Sequence, residues 1–508
     1  MMIKNISKIF IWCIALVFVG CTDLEIEQSD SVFSTLTGEF TGVEDPNASL
    51  EGLYNDFRGQ IESQENLFAL QEVSSDEFLV PTRGTDWGDN GVWRTLHSHT
   101  WSATHPRIKN TWNDQNKNIF NATAIIDSRS GASTQQVAEA KFLRALSMFW
   151  LIDLYGQVPF RTPDEGPDVN PTVLTRNEAT DFAITDLNEA INDLPASGPS
   201  DGLNKATKAA ARYLLAKILL NKHIYNGSGT PDSGDMAEVI SLVDDIKADG
   251  FDLQAGFFDL FKEDVDNETI LFTTSSAGNN IWNSLHYNQV VPDQSGGWNG
   301  FTTLAEFYDS FEGDPDINIP GSNQEERRGF VPTDGSHYGI GYGFLIGQQY
   351  DAEGKPLKDR QGNPLAFTKE LPNGLIVNNE VTGIRVIKYH PENGAFANHK
   401  IVFRYSDAHL MKAEAIMRSG GDPTDLVNEL RVIREATPLP TVSESDLLAE
   451  RGRELYMELW RRNDLIRFGQ FTAPWQYKET SGDETKTLFP IPATAIISNP
   501  NLVQNPGY

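Results

Sequence analysis

Two stretches of the chain carry apolar residues at helical spacing, and the stretch between them does not. In the first block, roughly 47–250, residues 137–155 place Phe142, Leu143, Leu146, Phe149, Trp150, Ile152 and Leu154 on more than one helical face. A helix with no wide polar stripe is buried between neighbours. Ser133 and Gln136, three apart just ahead of it, have the capping-box spacing that opens a helix. A second long helix is expected over 204–225, with Ala206, Ala209, Ala210 and Ala211 at its start and Gly227 as its stop. Small side chains there let a partner helix approach closely. In the second block, 405–469, Ala408, Ala413 and Ala415 alternate with Leu410, Met411 and Ile416; Gly420-Gly421-Asp422-Pro423 then turns the chain into an expected helix over 426–436. Helix, tight turn, helix with small residues at the contacts is the logic of tetratricopeptide-type pairs, although no clean 34-residue period runs through the chain.

Between the blocks, at 251–400, Gly, Pro, Asn and Asp punctuate short apolar runs, as in Asp293-Gln294-Ser295-Gly296-Gly297-Trp298-Asn299-Gly300. Strands are expected at 269–274 and 383–389. A second loop-rich island, 74–91, interrupts the first helical block. Loops carried on a rigid helical frame are where binding residues concentrate.

The N-terminus adds a different signal. Lys4 and Lys8 precede an apolar run, 9–19, that is too short to span a bilayer, and Gly20-Cys21 follows. Phe18 stands where such boxes usually carry Leu. This pattern predicts a lipoprotein signal over 1–20, with Cys21 as the lipidated first residue. The other cysteine, Cys13, leaves with the signal, so Cys21 has no disulfide partner and reads as an anchor. Asp23, Glu25, Glu27 and Asp30 then mark a solvated tether. Composition sharpens this picture: 39% hydrophobic residues and 10 tryptophans make a globular body, while 71 acidic against 41 basic residues give a formal net charge of −30. Such a surface disfavours nucleic acid and polyanionic ligands. The expected organisation is therefore 1–20 signal, 21–40 acidic tether, 41–250 helical scaffold with a ligand loop at 74–91, 251–400 loop-rich subdomain, and 401–508 helical scaffold and tail.

Three segments carry a resemblance. Ala140-Lys141-Phe142-Leu143-Arg144-Ala145 running to Leu154-Tyr155-Gly156-Gln157-Val158-Pro159-Phe160 is the first. Glu450-Arg451-Gly452-Arg453-Glu454-Leu455 with Arg461-Arg462-Asn463-Asp464-Leu465-Ile466-Arg467-Phe468-Gly469 is the second, and the tail Phe489-Pro490-Ile491-Pro492, Asn499-Pro500-Asn501-Leu502, Asn505-Pro506-Gly507-Tyr508 the third. In this order they resemble the SusD/RagB family of outer-membrane nutrient-uptake lipoproteins. The resemblance implies a mainly α fold of tetratricopeptide-like helical pairs, with an irregular loop-rich subdomain containing short strands. It also implies a non-enzymatic, surface-exposed lipoprotein that captures oligosaccharides for a partner TonB-dependent (SusC-like) transporter.

A pyranose ring needs an exposed aromatic face, plus acids, amides or guanidinium groups for its hydroxyls. Covering one sugar face on a tryptophan removes about 60 Å² of apolar area, worth roughly 1.5 kcal/mol. Trp150 and Trp460 lie in apolar helical stretches and read as core; Trp101 and Trp112 read as scaffold, and Trp93, at the start of a helical run, is balanced between a structural role and sugar contact. Trp475 has no convergent polar residues beside it in sequence. Trp87, in Thr82-Arg83-Gly84-Thr85-Asp86-Trp87-Gly88-Asp89, and Trp298, among glycines, are the expected platforms; Trp282, beside Asn279, Asn280 and Asn283, is the third. Arg83 and Asp76 are the expected polar partners. Replacing Trp87 or Trp298 should weaken sugar binding with little loss of stability. The charge balance favours a neutral glycan such as a glucan.

Other chemistries are weaker. His97, His99 and His105 lack the companions of a zinc site and read as packing residues. The charges of 450–467 fall at i, i+3 and i, i+4 and read as one salt-bridged scaffold helix, not a catalytic carboxylate pair. No cofactor is expected. The alternatives are a surface glycoside hydrolase and a binder of peptide or glycoprotein nutrients.

Overall fold

The computed structural model describes residues 39–166, 168–274, 278–393, 399–479 and 483–508, and the fold below is that of Thr41–Tyr508. The signal, Cys21 and most of the expected tether lie outside the described residues.

Among the described residues ten helices supply the frame: α1 Pro46–Glu62, α2 Pro106–Ile126, α3 Thr134–Leu154, α4 Arg176–Asp193, α5 Lys208–Tyr225, α6 Ser233–Ala248, α7 Tyr405–Arg418, α8 Thr424–Ile433, α9 Glu444–Leu455 and α10 Arg461–Arg467. Each of α2 to α5 packs on the next, α1 packs on α2, and α6 packs on both α5 and α7. This is the paired-helix stacking that the periodicity predicts. The local causes are visible at the helix starts. Asp45 caps α1, with proline at its first turn, and Leu50, Leu53, Tyr54, Phe57 and Ile61 form its buried stripe. Ser133 with Gln136 opens α3, and Thr175 with Glu178 opens α4, as two-way capping boxes. As its pattern requires, α3 is buried nearly all round, between α2 and α4. The helix expected from 204 begins at Lys208, because Thr207 is its cap and the Ala206 amide is held by the Tyr54 hydroxyl at 3.0 Å.

Strand Thr269–Thr273 pairs antiparallel with Lys400–Arg404, and Arg385–Ile387 pairs with Tyr342–Leu345. One two-residue pairing matters more than its length suggests. Phe78–Leu79 runs antiparallel to Thr302–Thr303, and Thr303 Oγ1 donates to the Glu77 carbonyl at 2.7 Å. That register sets the loop after residue 79 beside the loop before residue 302.

The segment 450–467 differs from expectation. It forms two helices, α9 and α10, parted at residues 456–460, where Met457 and Leu459 take left-handed backbone conformations. Its charges pair with remote partners and not mainly along one helix face. Glu454 accepts from Arg327, Arg404 and Arg434; Glu458 from Arg404 and Lys388; Glu450 from Arg327, Arg431 and Arg453. Arg451 joins Asp407 to Asp464, and Arg467 joins Glu414 to Asp464. These groups are almost wholly enclosed. Removing one member would strand an unpaired buried charge, at a cost of about 3–5 kcal/mol. Above this layer Trp150 stacks on Trp460, ring centroids 5.5 Å apart at 21°.

Candidate functional site

The loop after Phe78–Leu79 is pinned from behind. The Thr82 amide donates to the Leu375 carbonyl at 2.9 Å and Gly84 to Asn378 at 3.1 Å, while Arg83 and Asp86 exchange main-chain bonds. Arg83 itself is buried. Its Nη1 donates to the carbonyls of Thr382 at 2.6 Å and Asn379 at 3.0 Å, and burial lowers its pKa to about 9. A second buried guanidinium, Arg385, holds Asn299 Oδ1 at 2.7 and 3.1 Å and the Glu380 carbonyl at 2.9 Å. The segment 378–385 is thus a frame, with one arginine clamping the early loop and another the loop that carries Trp298.

Between those clamps Trp87 and Trp298 meet. Trp87 Nε1 donates to the Trp298 carbonyl at 2.8 Å, across 211 residues of sequence. The Trp87 ring stands edge-on to Phe301 at 5.8 Å and near Trp93 at 6.1 Å, so it is half-buried. Its edge lies on Gly300, where a Cβ would come within 2.3 Å of Trp87 Cζ2, so only glycine fits there. Trp298 remains 50% exposed, an unusual state for so large an apolar ring. Its amide donates to the Trp282 carbonyl at 2.6 Å.

Next to this pair lies a polar cluster. The Tyr287 hydroxyl donates to Asp86 Oδ2 at 2.7 Å, and the Arg360 guanidinium lies 3.9 Å above the Tyr287 ring centroid. Arg360 reaches Asp86 at 3.3 Å and also binds Glu380, which in turn meets His286 Nε2 at 3.1 Å. The Tyr287 hydrogen bond holds the Asp86 carboxyl below its ordinary range. Burial opposes the same shift at Glu380, but the bonds from Arg360 and His286 prevail and its pKa is lowered. Burial and Asp86 push the Tyr287 hydroxyl up to about 12. At neutral pH the cluster therefore offers a neutral phenol, two carboxylates and a half-exposed guanidinium beside two indoles.

The remaining expected residues sit elsewhere. Trp282 is 9% exposed, its ring in the core, and it serves the site through its main-chain carbonyl. Arg83 cannot reach a ligand in solvent, because its guanidinium is enclosed on main-chain carbonyls. Asp76 faces a different cleft and takes a two-pronged ion pair from Arg461, at 2.6 and 2.7 Å. Trp475, for which the sequence offers no convergent polar set, lines that same cleft with Asp76, Glu306 and Gln470. Trp93 is buried and donates to Asp89 at 2.7 Å. Ring nitrogens of His97, His99 and His105 face main-chain carbonyls. Trp87 and Trp298 are joined as the loop argument requires, but the expectation that Trp87 is dispensable for stability does not fit its packing. Sequence reasoning missed Tyr287, Arg360 and Glu380. The available signals were an aromatic at 287 in the same Asn- and Gly-rich stretch as Trp298, and Arg360 within the turn Asp359-Arg360-Gln361-Gly362.

Comparison with known proteins places this geometry in context. One family model, described as SusD family, matches residues 267–508, and a second, described as starch-binding associating with outer membrane, matches 47–220. The starch-binding protein SusD of Bacteroides thetaiotaomicron is 26% identical over 504 residues, 89% of this chain and 88% of that one. Among solved structures, a SusD-like protein from Bacteroides fragilis superposes with a TM-score of 0.69 at 20% identity, covering 92% of this chain and 98% of that one. Surface glycan-binding protein A from Bacteroides thetaiotaomicron, solved in complex with laminarihexaose, superposes at 0.65 with 17% identity, covering 91% and 98%.

Proposed function

The chain belongs to the SusD/RagB family, and from that premise we propose that it captures oligosaccharides at the cell surface and delivers them to a TonB-dependent outer-membrane transporter, held to the membrane by lipid on Cys21. The observation that carries the reading is the half-exposed Trp298 beside Trp87, Tyr287 and the Asp86–Arg360 pair. An indole face suits the C–H face of a sugar, and Asp86 and Arg360 suit its hydroxyls as acceptor and donor. Starch binding in one relative, laminarihexaose in one neighbour and outer-membrane association in one family description point the same way.

A neutral glycan such as a glucan is the favoured class. The excess of 71 acids over 41 bases repels polyanions, and Arg360 is already paired with Asp86 and Glu380. A hydrolytic role is disfavoured by the same electrostatics. A glycosidase keeps one carboxyl protonated as its acid, whereas both carboxyls of this cluster are held below their ordinary range. Two carboxyls that burial raises, Glu72 to about 7 and Glu77 well above its ordinary range, are closed off from solvent. Peptide and glycoprotein ligands are decided by the same test. Affinity electrophoresis against neutral glucans, polyuronates and glycopeptides, with product analysis on the same samples, should give retardation by a neutral glucan and no cleavage. Cleavage products, or retardation by a polyuronate alone, would overturn the reading. Pull-down from mild detergent at native expression should recover a co-encoded barrel, and repeated recovery of the lipoprotein alone would remove the delivery role.

A further inference from the structure

A further concavity, apart from the Asp76 cleft, opens where none of the residues of the aromatic arc lies. It has a volume of about 400 Å³, within the range of small-molecule sites. Its walls are α2, the hairpin Gln157–Phe160 with Thr172–Thr175 and the connection between those strands, and the last helix, Ala493–Ser498. Those walls are fixed to one another. Asn499 and Asn501 both donate to the Pro171 carbonyl at 3.1 Å, and Gln157 exchanges two bonds with the main chain of Val503, at 2.6 and 3.1 Å. The cleft is built by the fold and needs no closure to form.

Its chemistry is two-sided. Ile119, Leu502 and the half-buried Phe120 give an apolar floor, while Asn113, Asn116 and Asn170 bring amides to the rim. Asn116 uses its Nδ2 on the Trp112 carbonyl at 2.8 Å and keeps its Oδ1. Among the described residues no carboxylate lines the cleft, on a chain with 71 acidic residues. Arg161, the one cation among the described residues of the lining, turns its guanidinium to the carbonyls of Val169 at 2.6 Å and Gly166 at 3.5 Å. Apolar ring-sized surface edged by amide donors and acceptors matches a pyranose, and the Arg161 donors that face the cleft are already engaged on main-chain carbonyls.

We propose that this cleft is a second neutral-saccharide site, which holds a short stretch of glycan while the aromatic arc holds another. It rests on the glycan-capture reading above, and it adds avidity: a polymer long enough to reach both sites binds the second one intramolecularly. The test is calorimetry on the full-length mature protein in detergent, with maltohexaose and laminarihexaose as probes. Wild-type protein should bind one of these with two classes of site. Ser498→Trp, at an exposed position on the rim, should remove one class and leave the other at unchanged affinity. Asn116→Ala with Asn170→Ala should weaken that same class about tenfold or more. Trp298→Ala should weaken only the other class. A single class that weakens in Trp298→Ala and is untouched by Ser498→Trp overturns the cleft and leaves the arc standing. A single class lost in Ser498→Trp and kept in Trp298→Ala supports the cleft and overturns the arc. Failure of wild-type protein to bind either hexasaccharide overturns the second site.

Discussion

Replacing Trp298 with alanine separates ligand contact from folding more cleanly than any other change at the site. A tryptophan side chain presents about 250 Å² at most, and half of Trp298 is already enclosed. About 125 Å² is then left to a ligand, and one sugar face covers roughly half of it. At 25 cal/mol per Å² that is roughly 1.5 kcal/mol, about a tenfold loss of affinity. Folding should change by about 1 kcal/mol or less, as expected for a half-exposed side chain. The loop is held through the main chain of residue 298, whose amide donates to the Trp282 carbonyl and whose carbonyl accepts from Trp87 Nε1, and both bonds survive truncation of the Trp298 side chain. Trp87→Ala behaves differently. It deletes the edge-on contact with Phe301, the contact with Trp93 and the Nε1 bond, so it should cost about 2–4 kcal/mol of stability as well as affinity. Calorimetry on a neutral gluco-oligosaccharide, alongside urea unfolding of each variant, measures both quantities. Unchanged affinity in Trp298→Ala would refute the arc as the binding surface. A large loss of stability there would refute the loop-anchoring argument.

Trp150→Ala should cost about 3–5 kcal/mol in urea unfolding, through the cavity left against Trp460 and Phe149; a cost below about 1 kcal/mol would mean that the layer collapses to fill it. Burial alone would raise Glu414 and Glu450, yet Arg467 and Arg418 around the first, and Arg327, Arg453 and Arg431 around the second, hold both at about 2. Their contribution to stability is therefore fully present above the unfolded value of about 4.3 and is lost as pH falls from there towards about 2. Melting temperature should hold from pH 7 to 5 and drop steeply below about 4.5, more shallowly in Glu450→Gln; an unchanged acid slope in that variant would sink the assignment. Cys21→Ser should leave unprocessed precursor or release mature protein from membranes. A processed Ser variant that still partitions into detergent like wild type would end the lipoprotein reading.

Most of the frame was legible because helices are written locally. The Ser133–Gln136 spacing, the all-round apolar run of α3 and the turn before α8 are short-range patterns, and the structure uses each of them. The charges of 450–467 were also visible, but their i, i+3 and i, i+4 spacing suggested one helix salt-bridged along its own face. Burial by Arg327, Arg404 and Arg434, from segments as much as 127 residues away, made them a core network across two helices. The candidate binding surface was only half legible. Glycine-flanked loops marked Trp87 and Trp298 as aromatics without local packing partners, and the fold joined them. Nothing local showed that Arg83 would be sealed onto main-chain carbonyls, that Asp76 would answer Arg461, or that Tyr287 and Arg360 would complete the cluster. Sequence determined the helical scaffold, since it follows from neighbours within a few turns. Tertiary structure decided which loops meet: the register of Phe78–Leu79 on Thr302–Thr303 and the two buried arginines clamping segment 378–385 set residues some 200 positions apart into contact, and pairing at that distance depends on the packed core, not on any local pattern.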